Sequence, residues 1–122
     1  MTPEDVARVA HEANRAYCLA IGDASQPAWE DAPDWQKSSA LAGVHYHISH
    51  PDAKPADSHN SWLEQKRNEG WAFGRIKDPA AKLHPCFVPY DALPPEQKAK
   101  DYIYGAVVKN LIPHISSLGG PL

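Results

Sequence analysis

The chain has 122 residues, 43% of them hydrophobic and 22% charged, so one domain spanning residues 1–122 with an ordinary buried core is expected. Twelve Lys and Arg against 15 Asp and Glu leave a formal net charge of -3, with both signs interspersed. That balance excludes the basic footprint of a duplex nucleic-acid or anionic-membrane binder, and no apolar run reaches the length of a bilayer span.

The chain opens Met1-Thr2-Pro3-Glu4-Asp5, without the basic and apolar regions of a signal peptide, so a cytoplasmic location is expected. Thr2 suits an N-cap, Pro3 the first helical position, and Glu4 and Asp5 the positive end of the helix dipole. These predict a helix from Pro3 to Ile21, closed by Gly22. Val6, Val9, Ala10, Ala13, Tyr17, Ala20 and Ile21 fall on its expected core stripe. His11, Arg15 and Cys18 then lie away from that stripe, with Asn14 at its edge, a set of donors suited to an anion or an amide. The alternative for Arg15 is an exposed ion pair with Glu12. Residues 23–33 read as a turn-rich connection.

A second helix is predicted from Asp34 to just before Pro51. Leu41, Val44 and Ile48 make one face, and Trp35, Ser39, Ala42 and Tyr46 another. A helix with two useful faces is either buried between layers or lends one face to a site. His47 and His50 share a face, but His45 points elsewhere and no acidic or Cys ligand sits at a supporting spacing, so no metal is expected. After a proline-punctuated loop at 51–57, a third helix is expected from a Ser58 cap to a Gly70 stop. Trp71-Ala72-Phe73 and Cys86-Phe87-Val88 read as short strands around a loop containing Asp78-Pro79, predicting a two-stranded antiparallel ribbon against the helices. A fourth helix is expected from Pro94-Pro95-Glu96 to Pro113, with Ala99, Tyr102, Ile103, Ala106 and Val107 as its core stripe.

The expected fold is mainly α, a small bundle of about four helices with a minor two-stranded antiparallel β ribbon. On the fourth helix, Tyr104, Val108, Leu111 and Ile115 draw a second apolar stripe. One helix of a small domain rarely buries both sides against its own chain, so this stripe predicts a homodimer interface. The alternative is that the tail Ile115–Leu122 covers it and leaves a monomer.

His59-Asn60-Ser61-Trp62, then Gly70-Trp71-Ala72-Phe73-Gly74, then Lys82-Leu83-His84-Pro85-Cys86-Phe87-Val88-Pro89-Tyr90, then Leu93, follow one another in a specific order and spacing. Together they resemble the RyR domain, the repeat named after the ryanodine-receptor calcium-release channels, over roughly residues 58–112. Upstream, His11–Tyr17, Gly22–Gln26 and Trp29 are similar to stand-alone bacterial and phage members and differ from the channel repeats, making residues 1–57 an N-terminal helical extension. The resemblance implies a mainly helical cytosolic accessory module, not a channel. It also implies an association with nucleotide-dependent signalling, with aromatic and basic residues as ligand contacts.

Helical spacing puts His59, Trp62 and Lys66 on one face, where an indole can stack on a base while an ammonium pairs with a phosphate. A core-anchoring role is the alternative for Trp62 and for Trp71. Lys77, Lys82 and His84 cluster on the loop and second strand as a phosphate patch, against a solvated loop in which His84 bonds a local carbonyl. Tyr90, after Pro89, is expected to pin the ribbon to the helices. The expected binding set is Trp62 and Trp71 for stacking and Lys66, Arg67, Lys82 and His84 for the anion, with His59, Tyr90, Asn14 and Arg15 completing it. No cofactor is expected.

No nucleophile elbow, P-loop, carboxylate pair or HExxH is present. Cys86, between Pro85 and Phe87, reads as an inert buried thiol, and Cys18 with Cys86 fits neither a disulfide framework nor a zinc spacing. The expected function is a ligand-binding module for a nucleotide or nucleotide-derived signal, not an enzyme. The rival is a protein-interaction or scaffold module using the apolar face of the fourth helix, and a weaker third is an enzyme of unknown type.

Overall fold

In the computed structural model, which describes residues 1–115, helix α1 (Pro3–Ala20) begins on the expected Thr2 cap. Thr2 Oγ1 accepts from the Asp5 N–H at 3.1 Å, and the Asp5 carboxylate accepts from the Thr2 N–H at 2.8 Å, a reciprocal capping box. Helices α2 (Asp34–Ser49), α3 (Pro55–Asn68) and α4 (Pro95–Leu111) follow, with strands β1 (Ala72–Phe73) and β2 (Leu83–His84) between the last two. Short 3₁₀ turns at Trp29–Asp31, Tyr90–Ala92 and Ile112–His114 complete the described elements.

Helices α1 and α4 lie antiparallel. Tyr17, near the end of α1, donates its hydroxyl to the Glu96 carbonyl at the start of α4 (3.0 Å), while Val9 lines one surface cleft with Val107 and Leu111. Helix α2 packs across both. The core gathers Val6, Ala7, Ala10, Trp29, Val44, Val108 and Ile115, with Ala40, Ile48, Tyr104, Val107, Leu111 and Ile112 packed against it.

Several expectations are corrected by the structure. On α1 the buried face is rotated: Ala7, His11 and Cys18 are inside, and Ala20 and Ile21 are exposed. The small side chains Ala7 and Ala10, both fully buried, let α2 and α4 approach closely, and that proximity outweighs the bulk of Ile21 at the helix end.

On α4 the buried face is shifted toward the second stripe. Val108 and Ile115 are core, with Tyr104 and Leu111 packed against it. Of the expected core stripe Val107 packs there too and Ala99 and Ile103 are half-buried, whereas Tyr102 is 63% exposed and Ala106 is exposed. The rotation is set where α2 and α4 cross. A Cβ on Gly43 would sit 2.7 Å from Tyr104 Oη, so the glycine admits the phenol, whose hydroxyl donates to the Ala40 carbonyl. The stripe expected to mediate a homodimer is therefore spent inside the chain. The alternative covering tail lies outside the described residues beyond Ile115, which is itself buried.

The ribbon is parallel rather than antiparallel, pairing Ala72 with Leu83 and Phe73 with His84, and Cys86–Val88 is not a strand. The connection supplies the reason. Asp78 and Leu83 exchange two backbone hydrogen bonds of 2.9 Å, and Lys82 adopts φ 55°. The chain thus turns back after β1 and reverses again between Asp78 and Leu83, entering β2 in the direction of β1.

Helix α3 begins earlier than Ser58, because Pro55 suits its first position and the Asp57 carboxylate accepts from the Lys54 N–H at 2.9 Å. It ends as expected at Gly70, whose φ of 89° a side chain would strain. Among the described residues, no helix is long and apolar enough to cross a membrane.

Candidate functional site

Beyond the dry core, the second face of α2 is not covered by protein. It forms one wall of a cavity of about 370 Å3, within the usual range of small-molecule sites. Trp35, Ser39, Ala42 and Tyr46 line it, the face the helical spacing singles out, together with Gln36 and Gly43. The C-terminal half of α1 adds His11, Asn14 and Cys18. Helix α3 contributes His59, Trp62 and Gln65, the segment around β2 contributes Lys77, His84 and Cys86, and the first half of α4 contributes Gln97, Lys100, Asp101 and Tyr104.

Aromatic rings form a connected wall. Trp62 stacks on His59 (centroids 5.6 Å apart) and meets His84 edge-on at 5.0 Å. Trp35 lies 5.0 Å from Trp71, which is buried behind it. Lys77 holds its ammonium 5.2 Å from the Trp35 centroid. Burial, reinforced by Lys100, lowers the Lys77 pKa. Two polar atoms of the lining, Asn14 Oδ1 and Ser39 Oγ, are buried and lack any hydrogen-bond partner.

The titratable groups differ sharply. His84 is pushed down to about 4, by burial first and then by Lys77. Its Nδ1 accepts from the Cys86 N–H at 3.0 Å, so it is a neutral ring at physiological pH rather than an anion-pairing cation. Burial raises the Cys86 thiol, whose Sγ donates to Gln97 Oε1 at 3.4 Å. Asp101 is pushed up to about 7 by burial, Lys100 opposing the rise.

Of the expected binding set, Trp62, His84, His59 and Asn14 meet at this cavity; the other six do not line it. Lys66 is fully buried, bonded to Glu69 Oε1 at 3.1 Å, with its ammonium 5.4 and 5.5 Å from the Trp35 and Trp71 centroids. Trp71 backs Trp35. Lys82 closes α3, donating to the Glu69 carbonyl at 2.6 Å. Arg67 is exposed over Phe87 (5.8 Å), Arg15 bonds Glu12 at 3.1 Å, and Tyr90 lies under Lys98 and beside His59.

The residues missing from that set are chiefly Trp35, Ser39, Lys100 and Asp101. Trp35 and Ser39 carried a signal, the second face of α2. Gln97, Lys100, Asp101 and Tyr104 carried a fainter one, recurring at i, i+3, i+4 and i+7 on α4. Among the described residues, no three His, Cys, Asp or Glu side chains converge as a metal site.

A family model described as the RyR domain matches residues 45–117, more than half of the chain. The match takes in the end of α2, all of α3, the ribbon and α4. The cavity wall built from His11, Asn14, Cys18, Trp35 and Ser39 lies upstream of it.

Proposed function

The chain belongs to the RyR domain family, and on that premise we propose that it is a binding module whose cavity takes a small molecule with a planar ring and an anionic group. A nucleotide or nucleotide-derived signal is the ligand class that fits. The observation that carries this reading is the pair of unpartnered polar atoms, Asn14 Oδ1 and Ser39 Oγ, inside an aromatic-walled cavity that also holds Lys77 and Lys100.

A buried polar atom left unsatisfied costs about 1–3 kcal/mol, which a ligand amide or ring N–H would recover. Stacking on an indole contributes about 1–3 kcal/mol per base, and an ammonium adds a charge-assisted contact to a phosphate. Binding rather than catalysis is favoured because His84 and Cys86 are both held in their neutral, internally bonded forms. The similarity of His11–Tyr17 and Gly22–Gln26 to stand-alone bacterial and phage members supports a free-standing accessory module. The scaffold reading loses its surface, since the apolar face of α4 it relied on is core.

A thermal-shift series with mono-, di- and cyclic nucleotides and ADP-ribose tests this. A specific ligand at a hundred times its dissociation constant adds about 2.7 kcal/mol of stability. Lys77→Ala is expected to weaken that ligand roughly ten- to a hundredfold, the loss of one charge-assisted contact. No shift with any of these compounds at millimolar concentration contradicts the reading.

A further inference from the structure

The cavity has two unlike sides. Among the described residues, α1, α2 and the connection between them give it no Lys, Arg, Asp or Glu. Their polar contribution is chiefly the amides of Asn14, Gln26 and Gln36 and the hydroxyl of Ser39. The charged lining groups, Lys77, Lys100 and Asp101, come from the loop between the strands and from α4.

Two of the amides are tied together. Gln36 Nε2 donates to Gln26 Oε1 at 2.8 Å. That bond leaves Gln36 Oε1 to accept and Gln26 Nε2 to donate. The Pro27 carbonyl, next to Gln26, lies 2.7 Å from His11 Nε2 and accepts from it. The pair is thereby pinned beside α1, one turn before Asn14. Asn14 Oδ1 is buried and finds no donor, and the broad last torsion of an asparagine lets its amide turn toward a ligand. This side therefore offers two acceptors, Gln36 Oε1 and Asn14 Oδ1, around one amide donor, Gln26 Nε2.

We propose that this neutral side reads the edge of the ligand's heterocycle and selects an amino group beside an unprotonated ring nitrogen, as in adenine or cytosine. Gln36 and Asn14 accept from the amino group and Gln26 donates to the ring, while the anion points the other way, toward Lys77 and Lys100. This rests on the reading that the cavity binds a ring-bearing anion, and it names the ring.

The match is one of donor count. An exocyclic amino group brings two N–H donors on one atom with an acceptor next to it, the edge that amide side chains pair with. A lactam edge, as in hypoxanthine or uracil, brings one N–H beside a carbonyl, and leaves one of the two protein acceptors facing another acceptor. Discrimination by neutral amides comes from what the wrong ring leaves unpaired. Asn14, Gln26 and Gln36 all precede residue 45, where the family match begins, whereas Lys77 and Lys100 lie within it. The matched segment then holds the anion and the segment before it chooses the ring.

Calorimetry tests this with cyclic AMP against purine riboside cyclic monophosphate, which lacks only the amino group. The wild type is expected to bind cyclic AMP roughly ten- to a hundredfold more tightly. Gln36→Leu is expected to cut that ratio several-fold, weakening the amino-bearing ligand and sparing the other. Asn14→Leu is expected to cut it as well without lowering the ligand-free Tm, since the amide it removes leaves its oxygen unbonded. Gln26 and Gln36 serving only to tie the connection to α2 would weaken both ligands equally, and an unchanged ratio in both variants overturns the proposal. Equal wild-type affinity for the two nucleotides, or tighter binding of cyclic IMP than of cyclic AMP, overturns the amino edge while the nucleotide reading stands. If none of the three binds and no other nucleotide shifts the Tm, the nucleotide reading falls and the choice of ring falls with it.

Discussion

Two regions of the molecule share the same three helices and use them in opposite ways. Where the first half of α1 meets the second half of α4, the interior is dry: Val6, Ala7, Ala10, Val44 and Val108 are closed off from water. Where the second half of α1 meets the first half of α4, the interior is a cavity holding Asn14, Lys77, Lys100 and Asp101. Helix α2 serves both, Val44 and Ile48 toward the core and Trp35, Ser39 and Tyr46 toward the cavity. The comparison teaches that one helix pair closes on itself only where its side chains are small and apolar. Where His, Asn, Lys and Asp replace them, a buried surface is left that protein alone does not satisfy.

The largest expected effect separates the two stripes of α4. Val108→Asp places an unpaired charge at a fully buried site and is expected to lose about 3–5 kcal/mol or the cooperative transition altogether. Tyr102→Asp, at a 63% exposed site, is expected to stay within about 0.5 kcal/mol of wild type. Urea denaturation followed by circular dichroism checks both, and equal losses would mean that the helix is rotated from this orientation.

Lys66 sharpens the boundary between the regions. It is fully buried behind the cavity wall, against Trp35 and Trp71. Lys66→Ala is therefore expected to cost about 2–4 kcal/mol of stability through lost packing of its stem. Lys66→Met, which keeps the volume, is expected to recover most of it. An alanine variant as stable as wild type would place Lys66 at the surface, as an anion contact, after all.

A smaller, pH-dependent effect probes the α2–α4 contact. His47 is 1% exposed with neither ring nitrogen partnered, and burial, with Lys109 and His50, lowers its pKa. The unfolded chain then takes up the proton more readily, so the His47 contribution is lost as pH falls below its unfolded value near 6.5. Other groups titrate in this range, and Asp101 acts in the opposite sense between its unfolded value of 3.8 and about 7. The informative quantity is therefore the Tm difference between His47→Leu and wild type. It is expected to move in favour of the variant on going from pH 7.5 to 5.5, and a pH-independent difference would mean that His47 is solvated or paired.

The legible parts of the fold were those governed by local chemistry. The Thr2 cap, Pro3, the Gly70 stop and the positions of α1, α2 and α4 follow from capping and proline rules that act within a turn or two. The face of α4 was misjudged because its rotation depends on Gly43, some sixty residues away, which no periodicity on α4 encodes. The direction of the ribbon escaped for a similar reason, since the Asp78–Leu83 exchange is a loop contact. At the site, Trp62, His84, His59 and Asn14 were recognisable by residue type and spacing. Lys66 and Lys82 were not separable from Lys77 and Lys100, because a lysine's sequence does not say whether its ammonium caps a helix, sits on an indole or faces a cavity.

The central claim is that the cavity, and not the core, is where a small molecule binds, and the four tryptophans report on it directly. Trp35 and Trp62 line the cavity, Trp71 stands behind Trp35, and Trp29 belongs to the dry core. Indole N–H resonances followed by nitrogen-15 NMR during titration with the nucleotide giving the largest thermal shift are expected to move for Trp35 and Trp62, less for Trp71, and not for Trp29. Movement confined to Trp29, or saturation with Trp35 and Trp62 unmoved, would contradict the account.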